Sequence, residues 1–216
     1  NRIHGIETRE FSDDDGQVRQ MPVLRLEAGV ITQDAMQYAE RHGLVFATDP
    51  TSAWASTIGG NIAENAGGKT AVLWGTAIDN LLAYTMAMPG GTRLSVRRTN
   101  HRMRKILPDD RVLFEVCVAA GAPLRQIELA GSEIRKPGLW KDITNKALGG
   151  LPGVQKEGTD GVIVDAEFIL YPAYEKKLTC CLEFFGPDMD EASRVIVEIS
   201  EQFVNQGEEA LMALEH

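Results

Sequence analysis

Apolar and polar positions alternate along most of this chain, and the alternation predicts strands more often than helices. Ile3 to Phe11 and Gln17 to Ala28 are extended runs flanking Asp13-Asp14-Asp15-Gly16, and an Asp-Gly step between such runs is a hairpin signal. Ile31 to His42 changes to helical spacing. Ala35, Met36 and Ala39 share one face, Thr32 stands where a cap is needed, and Gly43 is a natural stop. Leu44 to Phe46 reads as a short strand entering the Asp49-Pro50 turn, and Ala77 to Leu82 as a helical turn. Leu82 to Met88 is strand-like, Pro89-Gly90-Gly91 turns the chain, and Arg93 to Arg98 runs back. Arg111 to Ala119 and Glu128 to Arg135 are further strands. The clearest buried strand is Gly161 to Tyr171, with Val162, Ile163, Val164, Ala166, Phe168, Ile169 and Leu170, and Pro172 closes it.

A new unit is expected near Ala173. Leu178 to Phe185 reads as a strand, and Asp188 with Glu191 three residues on forms a capping box. The next helix shows Ala192, Val195, Ile196, Ile199 and Phe203 on one face, with Gly207 as its stop. One strand and one helix cannot close a core, so residues 173–213 are expected to open a second domain. The fold class is α+β: a largely antiparallel sheet with flanking helices over residues 1–172.

One stretch breaks the pattern. Residues 57 to 68 read Thr-Ile-Gly-Gly-Asn-Ile-Ala-Glu-Asn-Ala-Gly-Gly, with only Ile58 and Ile62 bulky and apolar. Such a composition packs poorly as an ordinary helix or strand. Glycine lets a ligand approach the main chain, and asparagine tolerates left-handed backbone while offering donors and acceptors. The expectation is a backbone groove for a large polar ligand, phosphate first among candidates.

Charge and cysteine content narrow the classes. Lys plus Arg is 22 against 31 for Asp plus Glu, a net charge of −9, which argues against a dedicated nucleic-acid binder. No run approaches the roughly 18 apolar residues of a membrane span, and no secretory signal is visible. Cys117, Cys180 and Cys181 lack metal-ligand spacing and point to a reducing, cytoplasmic setting. His4, His42 and His101 are scattered and read as structural or solvated. The first residue is Asn1 rather than Met, and Leu214-Glu215-His216 looks like the start of a vector-encoded tag. The chain therefore reads as a piece of a longer protein.

The order of residues carries a resemblance. Asp49-Pro50-Thr51-Ser52, then Thr57-Ile58-Gly59-Gly60-Asn61-Ile62-Ala63, then Asn65-Ala66-Gly67-Gly68 resembles the flavin-contacting segment of FAD-linked oxidases. These are the vanillyl-alcohol-oxidase-like enzymes with a PCMH-type FAD-binding domain, and the nearest branch is the D-lactate dehydrogenase and glycolate oxidase flavoprotein group. Glu27-Ala28-Gly29-Val30, Trp74-Gly75-Thr76 with Asp79, Lys141-Asp142, and Glu157-Gly158-Thr159-Asp160-Gly161-Val162-Ile163 extend the resemblance. It covers roughly residues 24 to 172, with a break between about 97 and 137. After residue 173 the chain resembles the start of the family's ferredoxin-like cap.

The resemblance implies FAD as cofactor. The backbone of Thr57, Ile58, Gly59 and Gly60 would border the pyrophosphate and ribityl chain. Asn61 and Asn65 would bond the ligand or hold the loop, and Gly67 and Gly68 would keep the wall thin near the flavin. Gly161, Val162 and Ile163 would face the adenine end, and Gly75 joins the same set. The family's earlier Arg-Gly-Gly-Gly-Thr-type loop does not occur here, so the piece corresponds to the second flavin subdomain and carries no catalytic residue of its own. The intact protein would oxidise a 2-hydroxy acid such as D-lactate or glycolate and pass electrons to an acceptor. Iron-sulfur modules further along the parent are a hint of the resemblance alone.

Two other motifs compete. Ala63-x4-Gly68-Lys69-Thr70 nearly satisfies a phosphate-binding loop, but no buried strand precedes it and Gly75 interrupts the long helix that such a loop needs after it. Arg93, Arg97, Arg98, Arg102, Arg104 and Lys105 form a basic cluster with no acid among them, expected to be a solvated hairpin face. Its functional version is a contact surface, which would make the chain a non-catalytic scaffold. RNA is disfavoured there because no aromatic residue is interleaved for stacking.

Overall fold

A computed structural model of the chain describes residues 1–12, 16–118, 121, 123–135, 145–186 and 188–205. In chain order the elements are β1 (Ile3–Ser12), β2 (Val18–Glu27), α1 (Thr32–Glu40), β3 (Leu44–Val45), α2 (Ile58–Glu64), α3 (Ala71–Trp74), α4 (Ala77–Asn80), β4 (Leu81–Ala87), β5 (Arg93–Arg98), β6 (Arg111–Val118), β7 (Pro123–Ala130), α5 (Gly131–Ile134), β8 (Val162–Ile169), β9 (Tyr171–Pro172) and α6 (Met189–Asn205). Seven strands make one sheet in the order β1-β2-β8-β4-β5-β6-β7, and every neighbouring pair is antiparallel. β3 and β9 pair separately. The expected α+β architecture with an antiparallel sheet is the one observed.

Alternation sorts the two sheet faces. Leu24 and Leu26, Tyr84 and Met86, Leu94 and Val96, Phe114 and Val116, and Ala166 and Phe168 point inward and are buried in the core. Each buried large aliphatic or aromatic side chain contributes roughly 1.5–3 kcal/mol of transfer free energy. The opposite face is charged. Arg25 pairs with Glu167 across β2 and β8, and Arg97 stands opposite Glu115 across β5 and β6. Glu167 is clamped by Arg9 at 2.6 Å and Arg25 at 3.3 Å.

Several expectations are corrected. The glycine-rich stretch does not avoid regular structure, because Ile58–Glu64 is helical. Ile58 and Ile62 stand four residues apart, so both fall on one helical face, and both are fully buried. Thr32 does not cap α1. Ile31 occupies the cap position, and the Thr32 hydroxyl instead meets the Ser56 carbonyl and hydroxyl at 3.1 and 2.8 Å. Residues 131–134 are a helical turn rather than strand. Pro172 does not end a long strand, since Tyr171 and Pro172 pair with Val45 and Leu44.

The chain leaves the sheet at Ala173, whose N–H still donates to the Gly43 carbonyl at 3.0 Å. Residues 178–185 form no strand. They find no partner strand among the described residues, and Leu178 and Phe185 lie almost fully exposed. Asp188 does cap α6, accepting the N–H groups of Asp190 and Glu191 at 3.0 Å each. Of the expected apolar face, Ala192 is buried, while Val195 and Phe203 stand in solvent. Asp13 to Asp15, Ala119, Lys141, Asp142 and Gly207 lie outside the described residues.

Candidate functional site

The site is assembled around α2. Thr57 caps it with extended backbone, its hydroxyl accepting the Gly60 N–H at 3.2 Å. The Ile58 N–H donates to the Val30 carbonyl at 3.0 Å and the Gly59 N–H to the Ala28 carbonyl at 2.8 Å. The Asn61 N–H closes the first helical bond to the Thr57 carbonyl. A helix start leaves such amides without partners in the helix itself, and here those of Ile58, Gly59 and Gly60 are all taken. Gly59 suits this close docking, because a β-carbon there would lie 3.0 Å from Ala28 Cβ and 3.3 Å from the Ala28 carbonyl, tighter than an ordinary contact.

Both asparagines act inside the protein. Asn61 is buried and donates from Nδ2 to the Thr32 hydroxyl at 2.8 Å. Asn65 ends α2 in left-handed backbone at φ 51°. Its Oδ1 accepts the Ile78 N–H at 2.9 Å, and its Nδ2 donates to Gln155 Oε1 at 3.4 Å. The carbonyls of Ile62 and Ala63 accept the Gln155 and Glu157 N–H groups, and the Ala66 carbonyl accepts that of Ala77. The structure thus ties residues 57–66 to α4 and to the 155–163 segment.

Gly67 and Gly68 differ from their neighbours. Their N–H groups make no hydrogen bond within the described residues, and both lie half-buried. A β-carbon on Gly67 would stand 3.2 Å from Thr76 Cγ2, and one on Gly68 would overlap the backbone and carboxylate of Asp49. Asp49 is itself fixed, since the Thr70 hydroxyl and N–H donate to its Oδ1 at 2.6 and 3.3 Å. Burial pushes the Asp49 carboxyl upward, and the Thr70 bonds offset part of that rise. The result is two adjacent backbone donors on a thin, pinned wall.

Gly75 sits at φ 74°, where a β-carbon would collide with the Asp79 carboxylate. Asp79 is fully buried and makes a capping box with Thr76, whose N–H and hydroxyl donate to Oδ2 at 2.7 and 3.1 Å. Asn80 donates to the Trp74 and Thr76 carbonyls and accepts from the Tyr171 hydroxyl at 2.9 Å, while Tyr171 stacks on Trp74. Burial raises the Tyr171 phenol well above its ordinary value.

At the far end, Gly161 packs tightly, with its β-position 2.6 Å from Met86 Cε and 2.7 Å from the Ala87 carbonyl. Val162 is 68% exposed, whereas Ile163 is buried beside Gly59. A depression of about 490 Å³ lies elsewhere, on the charged outer sheet face, between Arg25, Glu27, Thr85, Arg97, Asp165 and Glu167. None of the candidate residues lines it. The near-match to a phosphate-binding loop fails structurally: α2 precedes it, and α3 after it is only four residues long.

The basic cluster comes apart. Arg93 and Arg97 are exposed, but Arg98 is 3% exposed and donates to the Asp79 carbonyl at 3.1 Å. Arg102 and Arg104 converge on Asp110 at 2.6 and 2.8 Å, and Lys105 donates to the Val72 carbonyl at 2.7 Å. The acids missing from the segment come from outside it. Burial lowers the Arg98 guanidinium to about 10. Sequence reasoning also missed Arg135, whose Nη2 donates to both Asp79 oxygens at 2.9 Å. His101, expected to be structural or solvated, is structural: it is buried, with Nδ1 accepting the Met103 N–H at 2.9 Å. For Arg98 a signal existed: it comes after Leu94 and Val96 at the inward period of β5.

Comparison with known proteins bears on these residues. Residues 10–97 match the family described as FAD binding domain. The chain is 42% identical over 91 residues to D-lactate dehydrogenase of Anaerostipes hadrus, covering 42% of this chain and 17% of that protein. It is 27% identical over 174 residues to glycolate oxidase subunit GlcD of Bacillus subtilis, covering 81% of this chain and 28% of that one. A solved structure of alkyldihydroxyacetonephosphate synthase aligns with a TM-score of 0.45 and 16% identity, over 82% of this chain and 21% of that chain. The match to an FAD binding domain covers residues 10–97, and it indicates FAD as the cofactor of that part of the chain. The chain spans less than a third of either curated relative. Among the described residues, no helix is long and apolar enough to cross a membrane.

Proposed function

We propose that residues 1–172 form the second subdomain of a PCMH-type flavin domain and that the intact protein oxidises a 2-hydroxy acid of the D-lactate or glycolate type. Residues 173–213 would open its cap, a small electron acceptor or partner would take the electrons, and the rest of the parent chain would complete the site. The observation that carries the reading is the Gly67-Gly68 pair. Its two backbone donors have no partner among the described residues and are held against Asp49 and Thr76, inside the segment that matches the flavin family.

These residues fit a long cofactor rich in acceptors. Gly67 and Gly68 would donate to it through the main chain. Gly161, Val162 and Ile163 would supply the opposite wall, with Val162 facing outward. The amides of Ile58, Gly59 and Gly60 are committed, and the Thr57 hydroxyl caps the helix. Ile58 is buried in the core, so Thr57, Gly59 and Gly60 would present a surface of small groups. Asn61, Asn65 and Gly75 would hold the loops in place through Thr32, Ile78 and Asp79. When bound, FAD supplies hydride acceptance; the protein orients the ring and excludes competing reactions. Relatives named D-lactate dehydrogenase and glycolate oxidase support the substrate class.

The test is an FAD titration read by flavin fluorescence, on this chain and on this chain joined to its parent's upstream residues. Binding by the longer form, lost on Gly68→Val, supports the reading. No binding by either form overturns it. D-lactate or glycolate should then reduce a dye through the parent protein and not through residues 1–216 alone.

A further inference from the structure

Arg98 and Arg135 both lie beyond the residues 10–97 that match the flavin family, yet both are buried against Asp79. Arg135 donates to the two carboxylate oxygens at 2.9 Å, and Arg98 donates to the Asp79 carbonyl at 3.1 Å. The Ile106 N–H adds a third contact from the same segment, at 2.7 Å to Oδ1. Oδ2 also accepts the Thr76 N–H and hydroxyl. From Thr76 the connection continues to the corner after α2. The Ala77 N–H holds the Ala66 carbonyl, the Ile78 N–H holds Asn65 Oδ1, and the Thr76 methyl packs at Gly67.

We propose that Arg135 and Arg98 are positioning residues that act through Asp79 to clamp the Gly75–Thr76 turn, and through that turn the Asn65–Gly68 corner with the Gly67 and Gly68 amides. The role toward a cofactor rests on the proposed flavin function; the clamp itself does not. A buried carboxylate needs compensating charge and donors, and a planar guanidinium supplies both in a fixed direction. Arg135 meets the carboxylate and Arg98 the main-chain carbonyl of the same buried Asp79. The segment from Arg98 to Arg135 is thereby part of the site's support rather than a separate surface.

The experiment uses the full 216-residue chain. Amide hydrogen exchange is monitored in peptides covering residues 65–79, with residues 112–116 of β6 as internal reference. Arg135→Met should speed exchange in 65–79 at least about tenfold and leave the reference unchanged. Arg135→Lys should fall between, because an ammonium keeps the charge but is shorter and lacks the planar, fixed direction of the Arg135 Nη2 donor. FAD affinity of the upstream-extended form, measured by fluorescence, should weaken about tenfold in Arg135→Met and partly return in Arg135→Lys. Unchanged exchange in 65–79 overturns the clamp. If Arg135→Met unfolds the chain, Arg135→Lys decides: loosening confined to 65–79 supports the clamp, and uniform loosening overturns it. A wild-type chain whose upstream-extended form binds no FAD, while Arg135→Met still loosens 65–79, overturns the flavin role and upholds the clamp.

Discussion

The β-position of Gly68 coincides with the main chain of Asp49, so the two backbones touch with no space for a side chain. Asp49 cannot give way cheaply. Thr70 holds its carboxylate through two donors, and the same Thr70 hydroxyl also reaches the Ala47 carbonyl. Gly68→Ala should therefore cost about 1–3 kcal/mol, the usual range for overpacking a filled site. Gly67→Ala should cost less, since its neighbour at 3.2 Å is a methyl group that can shift. Urea denaturation of the two variants checks the order. Equal midpoints for Gly68→Ala and wild type would mean that this close approach is absent in solution.

Asn65 does two jobs, and substitution separates them. It adopts φ 51°, and its Oδ1 satisfies the buried Ile78 N–H. Asn65→Gly removes the side-chain acceptor and relieves the left-handed backbone. Asn65→Ala removes the acceptor and adds left-handed strain of roughly 1–2 kcal/mol. Both variants should lose stability, by about 1–3 kcal/mol for the unsatisfied donor. Alanine should lose more than glycine by about the strain. A reversed order in thermal or chemical denaturation would remove the left-handed assignment at Asn65.

The parts of this fold that are legible in the sequence are those set by short-range patterns. Leu94 and Val96 alternate with polar positions, and β5 runs over the expected Arg93–Arg98. The order of residues from Asp49 to Gly68 is readable as a flavin segment because it is contiguous. What the glycines hide is a helix: Ile58 and Ile62 at helical spacing outweigh two glycines once both can be buried. Asp79 and Arg135 stand 56 residues apart, and nothing local marks them as partners. Asp110 likewise draws Arg102 and Arg104 from a neighbouring loop and so dissolves an apparent basic patch. The 178–185 run has strand-like composition, but a strand exists only where another supplies its hydrogen bonds.

His101 should make stability fall on acidification. Burial, reinforced by the nearby Arg98 charge, pushes its imidazole well below the ordinary value, and Nδ1 already accepts the Met103 N–H. The folded state thus resists a proton that the unfolded chain accepts near pH 6.5, roughly the ordinary histidine value. A group whose folded value is depressed in this way leaves stability intact above that pH and erodes it below. The slope is at most about 1.4 kcal/mol per pH unit. Asp110 adds a second loss at lower pH. Burial alone would raise its carboxyl, but the Arg104 and Leu107 hydrogen bonds and the Arg104 and Arg102 charges hold it below its usual range. Urea midpoints between about pH 7.5 and 5 should decline in wild type and decline less in His101→Gln. Parallel slopes would show that His101 titrates normally in the fold.

Arg97 and Arg98 are neighbours in β5 with opposite fates, and their substitution separates a surface patch from a structural core. Arg97 is exposed, with Glu115 as its cross-strand partner. Arg97→Gln should change stability by no more than about 0.5 kcal/mol, and Arg97→Glu should cost up to about 1 kcal/mol by facing Glu115 with a like charge. Arg98 is enclosed and bonded to the Asp79 carbonyl. Arg98→Glu would bury a carboxylate beside Asp79 with one guanidinium fewer, and should unfold the chain. Arg98→Met keeps the length of the side chain and should still cost about 1–3 kcal/mol for the carbonyl left without its donor. Circular dichroism and urea titration of the four variants give the readout. A folded, stable Arg98→Glu would put Arg98 on the surface and remove its contact with Asp79.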